Sequence, residues 1–172
     1  MNEKDINIDS VALFPKFSNL NVVVGRHEQM LVRYLGEDNK HAYLVRLGSV
    51  KNSVLTLNRD PDTKKYRMTW PIEDLQNHRA RELAWWVEEC GIPQGMKDFS
   101  PDEEDEKALE RRREVVEHII RVYGDAPFKD RTVYATAIRN ATQKFGFSEK
   151  TVRKYYEHHL FYGGHKFALG KR

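Results

Sequence analysis

The sequence predicts an α+β protein, in which a small antiparallel β-barrel or curled sheet is followed by a trihelical domain. Between positions 20 and 70, short runs of alternating apolar and polar residues are separated by turn residues, which is typical of antiparallel strands. From position 100 onward, apolar residues recur at helical spacing instead. We therefore expect two domains, a β-rich one over 1–95 that ends in a helix and a helical one over 96–172.

The first domain should contain four or five strands. The candidate runs are 21–24, 30–35, 42–47, 54–57 and 66–70, and Gly, Asn, Asp or Pro residues lie between them. Strands of this number and length form a small barrel or curled sheet. Their Tyr and Arg residues could bind nucleic acid, although ordinary half-buried sheet positions are favoured for Arg33, Tyr34, Tyr43, Arg46, Tyr66 and Arg67. The apolar patch at 11–14 fits either an edge strand or a docking tail.

A helix is expected over 71–90, because its apolar residues fall near one face and Gly91 follows as a C-cap. The segment 92–95 has the composition of a linker. Trp85 and Trp86 are together too large for one narrow apolar stripe. One of them should therefore pack on the barrel or on a partner.

The second domain begins with a long amphipathic helix that runs to Gly124. Ser100 is the expected N-cap, and Glu103 would complete a capping box with it. The acidic residues that follow suit the positive end of the helix dipole, so a solvated helix start is favoured over a metal site. The run 111–113, three arginines, could contact DNA phosphates or pair with acidic residues one turn earlier.

Two further helices are joined by a tight turn. Asp130 is expected to cap the first of them, and Gly146 supplies the left-handed conformation that a sharp turn requires. Ser148 should cap the second helix, with Phe147 and Val152 closing as a hydrophobic staple. These signals together predict a trihelical helix-turn-helix domain.

The outward face of the last helix should be polar and mainly basic, as expected for a helix that enters the major groove of DNA. The residues expected on this face are Glu149, Lys150, Arg153, Lys154, Glu157 and His158. The residues expected to face bases are Ser148, Lys150, Thr151, Arg153, Lys154 and His158. Those expected to hold phosphates are Lys129, Arg131, Lys144, Lys166, Lys171 and Arg172. The alternative is a solvated helix in an ordinary bundle. The agreement of turn glycine, cap, staple and basic face favours DNA.

The charge distribution supports this interpretation. Positions 128–172 contain ten Lys or Arg and three Asp or Glu, a net charge of +7. Since the whole chain carries +3, the remainder carries −4. A basic module behind a mildly acidic one is typical of a nucleic-acid binder whose contacts lie in its C-terminal part.

Several other classes of function are disfavoured. The sequence has no apolar run long enough for a membrane span and no hydrophobic signal core, so a cytoplasmic protein is expected. The single cysteine, Cys90, cannot form an internal disulfide. His158, His159 and His165 are spaced poorly for zinc, and we expect no metal and no cofactor. No catalytic motif is present, so an enzyme would have to be a nuclease assembled from dispersed acids.

The segment 128–169 resembles the N-terminal part of TnsB-like transposases, relatives of the Mu and TniA transposases. The similarity lies in TVRKYY at 151–156, in HLFYGG at 159–164 and in KFAL at 166–169. Upstream, the similarity is only architectural. The turn at 145–147 and the segment 163–165 depart from the family pattern, so base preference is not carried over.

This resemblance implies that the chain is the non-catalytic front part of a DDE transposase and recognises repeated sites in transposon ends. The catalytic core, an RNase H-like fold working with two Mg²⁺, would follow Arg172. The implied partners are double-stranded DNA, other transposition proteins and further copies of the chain, in the cytoplasm at a prokaryotic nucleoid. Two alternatives stay open: a free-standing transcriptional repressor, and a protein-interaction adaptor that uses the barrel and Trp85.

Overall fold

The computed structural model describes residues 12–61, 64–88 and 92–170. Within these ranges, six strands form one curled antiparallel sheet, a half-barrel, and six α-helices accompany it. The α+β class and the curled sheet predicted from the sequence are therefore confirmed. Cys90, Gly91, Lys171 and Arg172 lie outside the described residues.

The strands are β1 (Asn19–Gly25), β2 (Glu28–Glu37), β3 (His41–Lys51), β4 (Val54–Leu57), β5 (Arg67–Pro71) and β6 (Ala84–Val87). They lie in the order β4-β3-β2-β1-β6, and β5 pairs with the first half of β3. β4 pairs with the second half of β3. The first five strands overlap the five runs that the alternation predicts.

The helices are α1 (Ile72–Ala80), α2 (Gln94–Lys97), α3 (Glu103–Tyr123), α4 (Ala126–Lys129), α5 (Arg131–Phe145) and α6 (Glu149–Phe161). α3, α5 and α6 pack on one another. A short 3-10 helix, Lys64–Tyr66, precedes β5. The segment expected to be a linker, 92–95, contains the start of α2.

The prediction of a helix over 71–90 is wrong beyond Ala80, where α1 ends. Glu82 has a φ of 58°, and the chain then continues as β6 along β1, with Leu20 opposite Trp86. Val and Trp favour strands when a neighbouring strand is present. Helical spacing alone could not reveal that β1 supplies this neighbour. Trp85 and Trp86 both keep exposed surface, 38% and 62% respectively.

The start of α3 also differs from the expectation. Asp102, rather than Ser100, is the N-cap, and its carboxylate accepts a hydrogen bond from the Asp105 N–H at 2.8 Å. Both residue types are good N-caps. The helix therefore begins two residues later than a cap at Ser100 would place it.

Both faces of the sheet are buried, and alternate residues of β2 serve different cores. Val32 and Tyr34 face the core that the sheet forms with α1. Leu31 and Leu35 face the second core, which also contains the apolar residues of α3, α5 and α6. Because this second core takes residues from both of the domains expected from the sequence, the sheet and the helices are packed together. The boundary at residue 95 stays a prediction.

A buried arginine joins the sheet to the end of α6. Arg33 of β2 is 2% exposed, and its guanidinium donates to the Phe161 carbonyl oxygen and, at 3.2 Å, to Asn19 Oδ1. The Phe161 carbonyl belongs to the last turn of α6, where helix carbonyls have no partner within the helix. A cation also interacts favourably with the negative end of a helix dipole. Arg33 therefore stabilises the end of α6 in two ways, through its hydrogen bond to the Phe161 carbonyl and through the interaction of its charge with the helix dipole.

The chain makes room for this arginine with a glycine. Gly163 has a φ of 61°, and a Cβ atom there would lie 2.9 Å from Arg33 Nε. Both the backbone conformation and the available space thus require glycine at this position.

We expect Arg33→Met to lower the free energy of unfolding by about 2–4 kcal/mol, because it leaves the Phe161 carbonyl and the Asn19 amide without a charged donor. Chemical denaturation measures this change. The matched control is Arg46→Met, which removes an exposed arginine from β3 and should cost less than about 0.5 kcal/mol. Equal losses for the two variants would contradict the role given to Arg33.

Candidate nucleic-acid interface

The turn between α5 and α6 has the geometry that the sequence predicts. Gly146 adopts the left-handed conformation, with a φ of 72°, and its N–H donates to the Thr142 carbonyl at 3.0 Å. A Cβ atom at this position would meet nothing within 4 Å, so the backbone angle alone explains the glycine. Three residues, 146–148, therefore connect the two helices.

Both predicted caps are confirmed. The Asp130 carboxylate accepts from the N–H groups of Thr132 and Val133, at 2.7 and 3.0 Å. The Ser148 hydroxyl accepts from the Thr151 N–H at 3.2 Å. Each cap satisfies donors of the first turn and fixes the residue at which its helix begins.

The inner side of α6 anchors it in the second core. Val152, Tyr156 and Leu160 are almost fully buried there. Phe147, in the turn, lies against Tyr155 with ring centroids 5.6 Å apart. The sequence suggests Val152 as the partner of Phe147 in a hydrophobic staple, whereas the aromatic contact that the structure gives is with Tyr155.

The residues that α6 exposes are mainly basic. Lys150, Arg153 and Lys154 are exposed, as is Ser148, and Thr151 is partly covered. Arg153 Nη2 lies 2.9 Å from Glu149 Oε2, an exposed pair on the same helix. Exposed pairs of this kind are weak, so Arg153 can exchange its partner for a phosphate or a base at little cost. Five of the six residues expected to face bases thus lie on, or at the edge of, one accessible surface.

The sixth residue does not lie on this surface. His158 is 8% exposed, and its Nδ1 lies 3.3 Å from the Ala168 carbonyl oxygen. Glu157, which was also expected to face outward, is 3% exposed. Both expectations are wrong, because the C-terminal half of α6 is covered on one side by the turn that follows it and on the other by α5 and β5.

Glu157 is the centre of a buried polar cluster. Its Oε1 accepts from the Tyr134 hydroxyl at 2.8 Å and lies 3.1 Å from Arg67 Nη2. The Arg67 guanidinium also lies over the Tyr134 ring, 4.8 Å from its centroid. Burial, and next the Glu157 carboxylate, raise the pKa of Tyr134, so its hydroxyl stays a donor. The buried carboxylate is therefore both paired and hydrogen-bonded, as a stable buried charge must be.

The residues expected to hold phosphates are spread over several surfaces. Arg131 is exposed at the start of α5, and Lys166 is exposed after α6. Lys129 is partly covered, and its Nζ donates to the Glu37 carbonyl at 2.8 Å. Lys144 lies 3.3 Å from His118 Nδ1, on the side of α5 that faces α3. Of the four that belong to the described part of the chain, only Arg131 and Lys129 lie together, at the junction of the sheet and α5.

The three arginines at 111–113 contact other parts of the protein. Arg112 and Arg113 donate to the carbonyls of Leu169 and Lys166, at 2.5 and 2.8 Å, and so hold the segment after α6. Arg113 Nη1 also lies 3.9 Å from Glu106, one of the acids expected as partners. Arg111 instead stacks over Phe147, 5.1 Å from its ring centroid, beside the turn that leads into α6.

Among the described residues, no three His, Cys, Asp or Glu side chains are grouped so that they could hold a metal ion. The helices within the same ranges are all too short or too polar to cross a membrane. No protein-family model matches the chain, and no curated protein is significantly similar to it in sequence. The similarity to TnsB-like transposases stays a prediction.

Two histidines of the helical part have lowered pKa values. Burial, and next the charge of Lys16, lower the pKa of His159 to about 4, so this side chain is neutral near pH 7. Its ring packs edge-on against Phe17, with centroids 5.5 Å apart. Burial, and then Lys144 and Arg121, lower the pKa of His118 as well. Neither imidazole adds positive charge at neutral pH, so the positive charge of the helical part comes from lysine and arginine.

We expect the fold to lose stability between about pH 6.5 and pH 4 because of His159. As the pH falls through this window, His159 binds a proton in the unfolded chain before it does so in the folded one. The loss should reach about 3 kcal/mol, given a folded pKa of about 4 against 6.5. Denaturant unfolding at several pH values measures it.

His159→Gln should flatten this part of the profile, whereas His27→Gln, at an exposed position, should leave it unchanged. An equally steep profile in His159→Gln would show that another group causes the acid sensitivity.

Proposed function

We propose that the chain binds double-stranded DNA in a sequence-specific manner through α6, and that α3, α5 and α6 act as a trihelical helix-turn-helix domain. The observation that carries this proposal is the set of Lys150, Arg153 and Lys154, three exposed cations in the first turns of a helix that follows a tight, capped turn. A helix presented in this way can enter the major groove, where Arg and Lys donate to guanine O6 and N7.

Two features of α6 together support this proposal: its basic side is exposed, and its opposite side is anchored in the protein. The opposite side of α6 is held by the second core and by the buried Glu157 cluster, so its basic side has a fixed orientation. A fixed orientation reduces the entropy lost on binding. Since the basic module carries +7, it also attracts the phosphate backbone at long range.

We further propose, from the similarity to TnsB-like transposases, that the chain is the non-catalytic front part of a DDE transposase. Its DNA would be the repeated sites of transposon ends, and its partners would be other transposition proteins and further copies of itself. Catalysis would require the separate core that such proteins contain.

A protein-interaction adaptor is the second candidate, because Trp86 is 62% exposed on β6, a strand at the end of the sheet. Edge strands and exposed tryptophans are common in protein interfaces. An adaptor would show no salt-dependent binding to duplex DNA, so one titration at two salt concentrations distinguishes the candidates.

We expect Arg153→Ala and Lys154→Ala each to weaken binding to the preferred duplex by about 1–3 kcal/mol and to relax its sequence preference. The preferred duplex is first selected from a random pool, and fluorescence anisotropy then measures the affinities. Lys107→Ala is the matched control, since Lys107 pairs with Glu103 at 2.7 Å in the way that Arg153 pairs with Glu149. Unchanged affinity in both α6 variants would refute the assignment.

The arrangement of sites tests the proposed parent protein. A transposase front part should bind tandem, non-palindromic repeats as a monomer, whereas a repressor should dimerise and protect a palindrome. Footprinting on the selected sequence, together with sedimentation of the complex, measures both properties. A dimer on a palindrome would overturn the transposase proposal while leaving DNA binding intact.

A further inference from the structure

An open groove lies where the sheet meets the start of α5. Its volume is about 350 Å³, and β2, β3 and β5 form one wall while α4 and the first turn of α5 form the other. Three cations line it: Arg67 from β5, Lys129 from the end of α4 and Arg131 from the start of α5. Lys129 and Arg131 are close in the sequence, whereas Arg67 lies more than 60 residues earlier, on β5, and only the fold brings it to them.

The groove is positively charged on balance. Its one lining acid is Asp130, whose carboxylate already accepts the two cap hydrogen bonds from Thr132 and Val133. Arg131 is exposed and has no ion-pair or hydrogen-bond partner among the residues that the structure describes. Lys129 uses one N–H on the Glu37 carbonyl and keeps two. The groove thus offers several charged donors to an anion.

Arg67 also keeps donors for a second partner. One of its nitrogens, Nη2, faces Glu157 at 3.1 Å, and its side chain is 17% exposed. A guanidinium has five N–H donors in a plane, so it can hold a carboxylate on one side and a phosphate on the other. The pair with Glu157 holds this plane in place beside Tyr134.

The groove lies beside the exposed face of α6. Tyr134 lines the groove, and its hydroxyl donates to Glu157 of α6. Arg153 lies one helical turn before Glu157 on the same helix, and its charge acts on the Tyr134 phenol. A DNA strand that lies against this side of α6 would therefore be close to both Arg153 and the groove.

We propose that this groove binds backbone phosphates of the DNA strand next to the segment contacted by α6, so that the sheet, through Arg67, forms part of the DNA interface. The proposal rests on the proposed function. Phosphates fit the groove better than base edges do, because its donors are charged and come from three elements, and because it is open to solvent. Its contribution to binding is independent of sequence.

The first test uses Arg131→Gln, which removes an exposed charge without disturbing a contact. With an arbitrary duplex of about three helical turns, the slope of log Kobs against log salt should become shallower by about 0.9, and affinity near 0.1 M salt should fall roughly fivefold to tenfold. On the duplex selected from the random pool, where the protein binds in one register, phosphate-ethylation interference should disappear at one or two phosphates. Arg46→Gln, which removes an exposed arginine that does not line the groove, should leave the slope and the interference pattern unchanged.

The second test isolates Arg67. Removing Arg67 alone would leave Glu157 buried and unpaired, so the comparison is between Glu157→Gln and the double variant Arg67→Gln/Glu157→Gln. Both lack the buried carboxylate, and only the second lacks the arginine. In the plot of log Kobs against log salt, the slope of the double variant should be shallower than that of Glu157→Gln by about 0.9. An unchanged slope in the double variant would show that Arg67 takes no part in binding. If the double variant fails to fold, as thermal unfolding would show, the Arg131 comparison still decides whether the groove binds phosphates.

The outcomes separate the two proposals. If the wild-type chain binds duplex DNA but Arg131→Gln keeps the slope and the interference pattern, or if Arg46→Gln lowers the slope equally, the groove proposal is wrong and the role of α6 is untouched. If the wild-type chain shows no salt-dependent duplex binding, both proposals fall. If groove variants weaken binding while Arg153→Ala and Lys154→Ala do not, the groove binds DNA and the assignment of α6 is wrong.

Discussion

The position of the last helix depends on the contact between a buried guanidinium and a helix end. Arg33 of β2 and the Phe161 carbonyl are 128 residues apart in the sequence, yet the arginine donates to the last turn of α6. A buried cation is costly unless hydrogen bonds compensate for its lost hydration. Arg33 obtains them from Phe161 and Asn19 only when α6 ends at this point on the sheet. The contact therefore fixes the position of α6 along its axis.

A second buried charge fixes the rotation of α6 about its axis. Glu157 points toward Tyr134 and Arg67, and adjacent helix residues are separated by about 100°. A rotation by one residue would take this carboxylate from its partners and turn the basic face toward the core. Since a buried charge without a partner costs several kcal/mol, such a rotation is strongly disfavoured. Together with the buried apolar side of α6, Arg33 and Glu157 therefore favour the orientation in which Lys150, Arg153 and Lys154 are exposed.

Local signals allowed much of this fold to be predicted from the sequence. Asp130, Gly146 and Ser148 act within a few residues of themselves, so their roles follow from residue type and position. The strand β6 could not be predicted from the sequence in this way, because the residues of β1 with which it pairs lie more than 60 residues earlier in the chain. His158 and Glu157 were misplaced for the same reason. Their spacing on α6 allows either face, and only Ala168, Tyr134 and Arg67 decide that both are buried.

The candidate site was predictable to a similar degree. The basic face of α6 follows from spacing along one helix, whereas the groove depends on Arg67, a strand residue whose neighbours come from α5 and α6. Leu31 and Leu35 of β2 share a core with Val152 and Leu160 of α6, so the sheet covers apolar surface that the helices would otherwise expose. A helical part separated from the sheet would lose this cover together with the contact to Arg33. The sheet is thus a structural requirement for the orientation of α6, and residues on it can affect the proposed DNA binding without contacting DNA.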